Sequence, residues 1–508
     1  MDGLSKNKKA LNILFIVLLV AILLGGVALR VHAWLFSSQL YSDEGCLLSN
    51  AISRGFWGAF LPQDYGQCTP PIFLMLTKIL YSKFDLNEIA LRFPVWLYSV
   101  LTVLLFVPLS LKIFKNKLSV LAAVFIIAFS PRLLYFTSIL KQYTGDAFFT
   151  VAILLAGLWI KDKKLSNVSL VFCGIAAALC CFASYTAIFL IGILALCLFF
   201  RDLKNKNVNI LSVVSFLLPF GTLMTGFFFV NCLPTIQNQV LQDFWQKTTY
   251  CYTSYFFPTQ IHQVMDYFRF FNCSGEIFKT GASGYMFYNI WLSVIAVVAS
   301  LVIFFKNDRF KFFLFGAPFA LAMILGFFHL YPFCPERIIL YLLPIYVILL
   351  VKPLDNCDFS KKKLVVFLLI FYFCLINFEN IYSFSKEFLQ TKEHIKVATA
   401  RDFVRYLYNS DVKSDDYIFI STVNDVSFGL YDREKRFKPE QILVDNFVDI
   451  EPLNYVSTGK NVYFYRDEKY IDFGRISDWM KNNCEIIYEK SGDNYTIYKC
   501  RKVNNING

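Results

Sequence analysis

Two acids stand side by side at Asp43 and Glu44, directly after Ser42 and before a segment in which Leu47, Leu48, Ala51, Ile52 and Phe56 recur at helical spacing. Ser42 can cap that helix. Both carboxylates then fall in its first turn, where the helix N-terminus favours the ionised form by roughly 0.3–1 kcal/mol each. A carboxylate so placed can take a proton from an incoming hydroxyl, or ligate a metal. The plainer alternative is a pair of acids on a wet loop, drawn there by the helix end alone. A second candidate region begins where an apolar run meets Ser130-Pro131-Arg132, too early to cross a bilayer, with Lys141 following before the next apolar run opens at 147. Irregular backbone and cations at that depth are tolerated only against protein or a wet cavity, and a cavity is the simpler reading.

The elements that must hold these groups are set by composition. The chain is 56% hydrophobic and 17% charged, more apolar surface than one or two soluble cores can bury. Apolar runs of roughly 15–25 residues recur at 11–35, 93–111, 118–129, 147–160, 170–184, 187–200, 210–230, 286–305, 312–328, 338–351 and 364–378, so about eleven spans are expected. The first follows Lys6, Lys8 and Lys9 without a small-residue cleavage site, which reads as a retained span. The net charge of +12 does not point to nucleic acid, because lysines and arginines cluster in every second short loop. Those loops hold Lys112/Lys115/Lys117, Lys161/Lys163/Lys164, Arg201/Lys204/Lys206, Lys306/Arg309/Lys311 and Lys352/Lys361/Lys362/Lys363. They and the N-terminus are expected to be cytoplasmic. The loops around Asp43, Lys141, Tyr185, His262 and Tyr331, and everything after 378, are expected on the other side.

Two domains follow: a transmembrane domain over 1–384 and an extracytoplasmic α/β domain over 385–508. The first outward loop, 37–91, is long for a simple connection and is expected to carry two interfacial helices, the one capped by Ser42 and one over 72–84 opened by Thr69-Pro70-Pro71. In the second domain, strands are expected at 417–421, 441–444 and 462–465, with helices at 392–408 and 476–482. No glycine-rich phosphate loop opens a helix there. The segments flanking Ser491-Gly492-Asp493-Asn494 read as a hairpin. A turn centred on Gly492 sets Cys484 opposite Cys500 and Ile486 opposite Tyr498, unless a slip or bulge intervenes. Eight outward cysteines, Cys46, Cys68, Cys232, Cys251, Cys273, Cys334, Cys484 and Cys500, can pair if that compartment is oxidising, and no CxxC or Cys/His cluster suggests zinc.

Tyr41-Ser42-Asp43-Glu44-Gly45, Thr69-Pro70-Pro71-Ile72-Phe73 and Leu91-Arg92-Phe93-Pro94 follow one another in the order seen in glycosyltransferase family 39. Ser130-Pro131 with Leu140-Lys141-Gln142-Tyr143-Thr144-Gly145-Asp146, and Tyr331-Pro332-Phe333 with Glu336-Arg337, are similar to later segments of those proteins. The chain thus resembles the GT-C superfamily of membrane glycosyltransferases, among them protein O-mannosyltransferases and lipid A aminoarabinose transferases. The resemblance runs from about residue 11 to 351 by motif order and hydropathy. It implies a polytopic α-helical GT-C fold in a cell (inner) membrane and an inverting transfer from a polyprenyl-phosphate sugar to a hydroxyl on a lipid, glycan or protein acceptor. Asp43 would be the base, and Glu44 would orient the base or the acceptor. As the phosphate leaves, fixed cations beside it stabilise the developing charge, for which Lys141 and Arg337 are the candidates and Arg132 and Arg92 the reserves. Each could instead be a span-end cation among headgroups or paired with an acid. Asp146 is a second acid of the site or the partner of Lys141; Tyr143 could stack on sugar or isoprenoid. Cys68-Thr69 departs from relatives that place a charged residue before the prolines. No cofactor is indicated, and a divalent cation stays open. The alternative reading is a transporter or flippase of lipid-linked substrates, against which stand the single broken span and the absence of an internal repeat.

Overall fold

The structure is a computed structural model that describes residues 2–35, 40, 42–206, 208–239, 241–243, 267, 268, 271, 286–333, 337–355, 400–421, 428–432, 435–445, 453, 456–467, 473–491 and 495–503. The expected span 364–378, Lys361, Lys362, Lys363, His262, Glu336 and the hairpin turn at 492–494 lie outside these residues, as do Cys251, Cys273 and Cys334. The chain divides into two compact units, one of Met1–Phe36, Phe56–Leu80 and Ile89–Lys392, the other of Ser37–Gly55, Tyr81–Glu88 and Glu393–Gly508.

The first unit is helical. Helices α1 (Asp2–Leu35), α3 (Pro71–Phe84), α4 (Glu88–Leu91), α5 (Phe93–Ile113), α6 (Lys117–Ala128), α7 (Pro131–Thr137), α8 (Tyr143–Ile160), α9 (Asn167–Ala183), α10 (Ala187–Lys204), α11 (Ile210–Phe227), α12 (Leu233–Ile236), α13 (Met286–Asn307), α14 (Arg309–Phe327) and α15 (Leu343–Asp355) account for every apolar run before residue 356, with the end of α3 from Tyr81 and the first residue of α4, Glu88, counted in the second unit. Among the described residues, seven helical stretches are long and apolar enough to cross a membrane.

The expected break lies between α6 and α7, where Ser130 caps and Pro131 opens the new helix. A break inside a membrane leaves carbonyls with neither helix nor water to satisfy them. Arg30, fully buried on α1, answers this: its guanidinium donates to Ala128 O at 2.5 Å, Ile127 O at 3.1 Å, Gly26 O at 2.9 Å and Ser99 Oγ at 2.9 Å. Thr137 Oγ1 donates to the same Ser99 Oγ at 2.7 Å, which ties α7 to α5. Helices α9 and α11 meet at Gly174, where an added Cβ would come within 2.5 Å of Phe216 O, so only glycine permits that approach.

Contacts between loops sort into two sets. Lys117 reaches Asn12, Asp355 Oδ1 accepts from Lys115 N at 2.7 Å and Asn116 N at 2.8 Å, Arg201 reaches Lys161 O, and Asp308 takes both Lys161 at 4.0 Å and Lys311 at 3.3 Å. All but the Lys311–Asp308 pair, which lies within one loop, join basic segments to one another. The segments around 60–69, 141, 185 and 231 also join one another, as described below.

The second unit contains α2 (Ser42–Ser53), α16 (Ala400–Tyr408), α17 (Phe473–Asn483) and strands β1 (Tyr417–Ser421), β2 (Ile442–Asp445), β3 (Asn461–Asp467), β4 (Cys484–Ser491) and β5 (Tyr495–Lys502). The sheet order is β2-β1-β3-β5-β4, with β2, β1 and β3 parallel and β5 and β4 antiparallel. Alternation along the strands feeds two cores, one with α16 (Phe403, Leu407, Ile418, Ile420, Tyr463) and one with α17 (Phe419, Val462, Phe464, Trp479, Met480). On α2, Leu47, Leu48 and Ala51 are buried, so the chain itself covers that apolar stripe.

The hairpin forms but its register departs from a Gly492-centred turn. Ile486 meets Cys500 and Cys484 meets Lys502, with an irregularity between Ile486 and Tyr488. Next to the turn Glu489 faces Tyr498, a displacement of three residues that alone would send the cysteines to opposite faces; the bulge takes one back. Cys484 and Cys500 therefore share a face as diagonal neighbours, both buried in the α17 core and both free thiols. Cys46, Cys68 and Cys232 are free as well.

Candidate functional site

In the helical unit, the loop between residues 60 and 71 carries few apolar anchors, and side chains from three other segments fix its backbone. Gln142 Nε2 donates to Cys68 O at 3.0 Å, and the Tyr185 hydroxyl donates to Thr69 O at 3.2 Å and to Asn231 Oδ1 at 3.0 Å. Asn231 Nδ2 reaches Phe60 O at 3.2 Å, and Gln63 Nε2 donates to Thr69 O at 2.6 Å within the loop. Asn231 stands in a π-helical stretch, Phe228–Cys232, that follows α11. Such a bulge re-aims one side chain without ending the helix.

Lys141 sits against this loop, 4% exposed, and its ammonium donates to Gln67 Oε1. Asp146, also buried, lies in the first turn of α8 and accepts from Ser184 Oγ at 2.5 Å, with Thr186 Oγ1 3.1 Å from the same hydroxyl. The Arg337 guanidinium lies 5.7 Å from the centre of the Tyr143 ring, within cation–π range. Tyr331 donates to Ile338 O at 2.9 Å and packs on Phe189. Burial, then Tyr341, Asp146, Cys68 and Tyr143, push its hydroxyl well above the usual range. The Cys68 thiol is pushed up to about 12, by burial first and then by Cys232 and Asp146, with Lys141 opposing. A buried lysine, an arginine, an acid and several neutral hydroxyls thus share one low-dielectric neighbourhood. It suits an anionic group carried beside neutral polar ones.

Of the candidates from sequence, Lys141, Tyr143, Asp146 and Arg337 build this cluster. Arg92 is fully buried in the residue before α5, and Arg132 is half-buried in the first turn of α7. Asp43 and Glu44 belong to the second unit, in the first turn of α2; Glu44 is 0% exposed whereas Asp43 is partly exposed. Sequence reasoning passed over Gln63, Gln67, Gln142 and Asn231. Only Asn231 had a signal, as the one amide in the apolar run Phe227–Leu233. Among the described residues, no group of three or more His, Cys, Asp or Glu side chains is placed to hold a metal ion.

No protein-family model matches the sequence, and no curated protein matches it. Solved structures do match its shape. ArnT from Cupriavidus metallidurans bound to undecaprenyl phosphate is 14% identical with a TM-score of 0.52, the match covering 96% of this chain and 98% of that one. The same protein in its apo state is 11% identical with a TM-score of 0.55, covering 97% and 98%. The archaeal oligosaccharyltransferase AglB from Archaeoglobus fulgidus, in complex with an inhibitory peptide and a dolichol-phosphate, is 13% identical with a TM-score of 0.50, covering 95% and 74%. The chain therefore has the polytopic fold of the GT-C membrane glycosyltransferases, with a small C-terminal sheet region appended.

Proposed function

We propose that this chain is a membrane glycosyltransferase that moves a sugar from a polyprenyl-phosphate carrier to an acceptor hydroxyl with inversion at the anomeric carbon. The observation that carries the reading is the pair of cations, buried Lys141 and half-buried Arg337, among neutral hydroxyls and amides, on a fold shared with proteins solved with undecaprenyl phosphate and with dolichol-phosphate. In the transfer, the acceptor oxygen attacks the anomeric carbon, its proton passes to the Asp43 carboxylate, and the sugar–phosphate bond breaks. The leaving phosphate gains charge, which Lys141 and Arg337 offset. Asp43, partly exposed, is the base, and the buried Glu44 orients it from within the protein. Asp146 and Tyr143 bind the sugar or the isoprenoid.

The joining of basic loops to one another supports a cytoplasmic face for the lysine segments and an outward face for the 60–69 loop. The test is turnover by purified chain supplied with polyprenyl-phosphate sugars and a hydroxyl acceptor. Asp43→Asn keeps shape and removes the base, so transfer should fall by about 10²–10⁴-fold with polyprenyl-phosphate binding retained. Near-parental turnover of that variant would exclude Asp43 as the base.

A further inference from the structure

The acid-bearing helix α2 is held from outside itself. Its N-terminal side is anchored at Leu40, which is fully buried and whose backbone N–H donates to the Tyr431 hydroxyl at 3.2 Å. Tyr431 passes its own proton donation to Glu88 Oε1 at 3.1 Å, and Arg401 Nη1 on α16 donates to that same oxygen at 3.0 Å. A single carboxylate oxygen therefore gathers a charged and a neutral donor, while the phenol both donates and accepts. The residues joined lie 391, 343 and 313 positions apart in sequence. All belong to the second compact unit, so the linkage lies wholly within one body. Within α2, Glu44, Leu47, Leu48 and Ala51 are all buried.

A hydrogen-bond chain ending in an ion pair constrains the groups it joins because its charge-assisted links are directional. It fixes the backbone three residues before Asp43. Burial, then the charge of Glu88, raise the Tyr431 hydroxyl well above its ordinary range, so it keeps its proton and can donate.

From this linkage we infer that Tyr431, held by Glu88 and Arg401, is a positioning residue for Asp43, which makes the C-terminal α/β region part of the transfer machinery. The inference rests on the reading of Asp43 as the base. Tyr431 touches no reacting atom; it acts through the placement of α2. Small misplacements of a catalytic group are costly to rate and leave binding by other groups alone. The cations that serve the phosphate are in the helical unit, so loss of the phenol should leave donor affinity unchanged.

The experiment uses the full chain in detergent with a polyprenyl-phosphate sugar, comparing Tyr431→Phe, Asp43→Asn and the double variant. Tyr431→Phe should lower kcat by about 10- to 100-fold with donor KM and polyprenyl-phosphate Kd unchanged, and should add nothing to the loss already caused by Asp43→Asn. Glu88→Gln, which keeps an acceptor for the phenol and weakens the Arg401 pair, should give a smaller kcat loss of the same kind. It also serves as the test if Tyr431→Phe fails to fold. Full kcat in Tyr431→Phe with an inactive Asp43→Asn overturns the positioning role alone. Active Asp43→Asn overturns the base assignment instead. Equal losses in kcat and donor affinity, or an additive loss in the double variant, would mark Tyr431 as a general structural support and overturn the inference.

Discussion

Replacing Lys141 by methionine tests the phosphate assignment most directly. Methionine keeps the length and apolar stem of the side chain, so the buried volume at the loop is nearly preserved. What is removed is one ammonium, 4% exposed, which donates to Gln67 Oε1. Gln67 is itself only half-buried, so water can replace the donor it loses, and a thermal melt reads any effect on folding separately. A hydrogen bond to a charged group contributes about 1.5–3 kcal/mol net, which corresponds to roughly 10- to 150-fold in Kd for undecaprenyl phosphate. Lys141→Arg retains the charge and should recover most of that loss. Titration of the purified variants with undecaprenyl phosphate, followed by intrinsic fluorescence alongside a thermal melt, separates the two effects. A Lys141→Met protein that melts like the parent and binds the lipid phosphate as tightly would refute the assignment.

Two further expectations follow from the fold. Asp64 and Lys164 are both exposed and lie in loops of the two different contact sets, so Asp64→Cys should be labelled by an impermeant maleimide from outside the cell and Lys164→Cys only after permeabilisation; labelling of both from one side would end the topology as drawn. In the sheet, burial raises the Cys484 thiol to about 11 and the Cys500 thiol to about 12, above the roughly 8.5 of an unfolded thiol, so both should resist alkylation at pH 8. Because the fold favours the protonated forms, their contribution to stability is whole below about pH 8.5 and is lost as pH rises through 11. Rapid alkylation of both in native protein at pH 8 would contradict their burial.

The parts of this molecule that were legible in the sequence are those set by local chemistry. Ser130-Pro131 announces a helix start, so the broken span could be read directly, and the apolar runs could be read because a bilayer demands their length. Lys141 stood out because a cation at that depth is costly. Long-range pairings left no such mark. Arg30 reads as one polar residue near the end of an apolar run, and nothing local says that its partners are at 127 and 128. The grouping of residues 37–55 with the C-terminal region rests on contacts such as Leu40 with Tyr431, which no periodicity foretells. The hairpin could be read, but its register could not, because a bulge at residue 487 depends on which core the strand must serve.

Arg30 also bears on how the protein is made. Its carbonyl partners at Ile127 and Ala128 lie 97 and 98 residues further along the chain. At roughly 5–20 residues per second of synthesis, the first span must wait about 5–20 seconds in the bilayer before those groups exist. Early in that interval Gly26 O, one turn back on α1, is the acceptor at hand of those the folded protein provides, and an arginine held at the centre of a span opposes insertion by about 2.5–3.5 kcal/mol. Arg30 sits five positions before the end of α1, near enough for its side chain to reach the headgroups in the meantime. The polar clasp of the finished fold thus begins as a surface anchor of the nascent chain, withdrawn from the lipid boundary only when the sixth helix arrives to receive it.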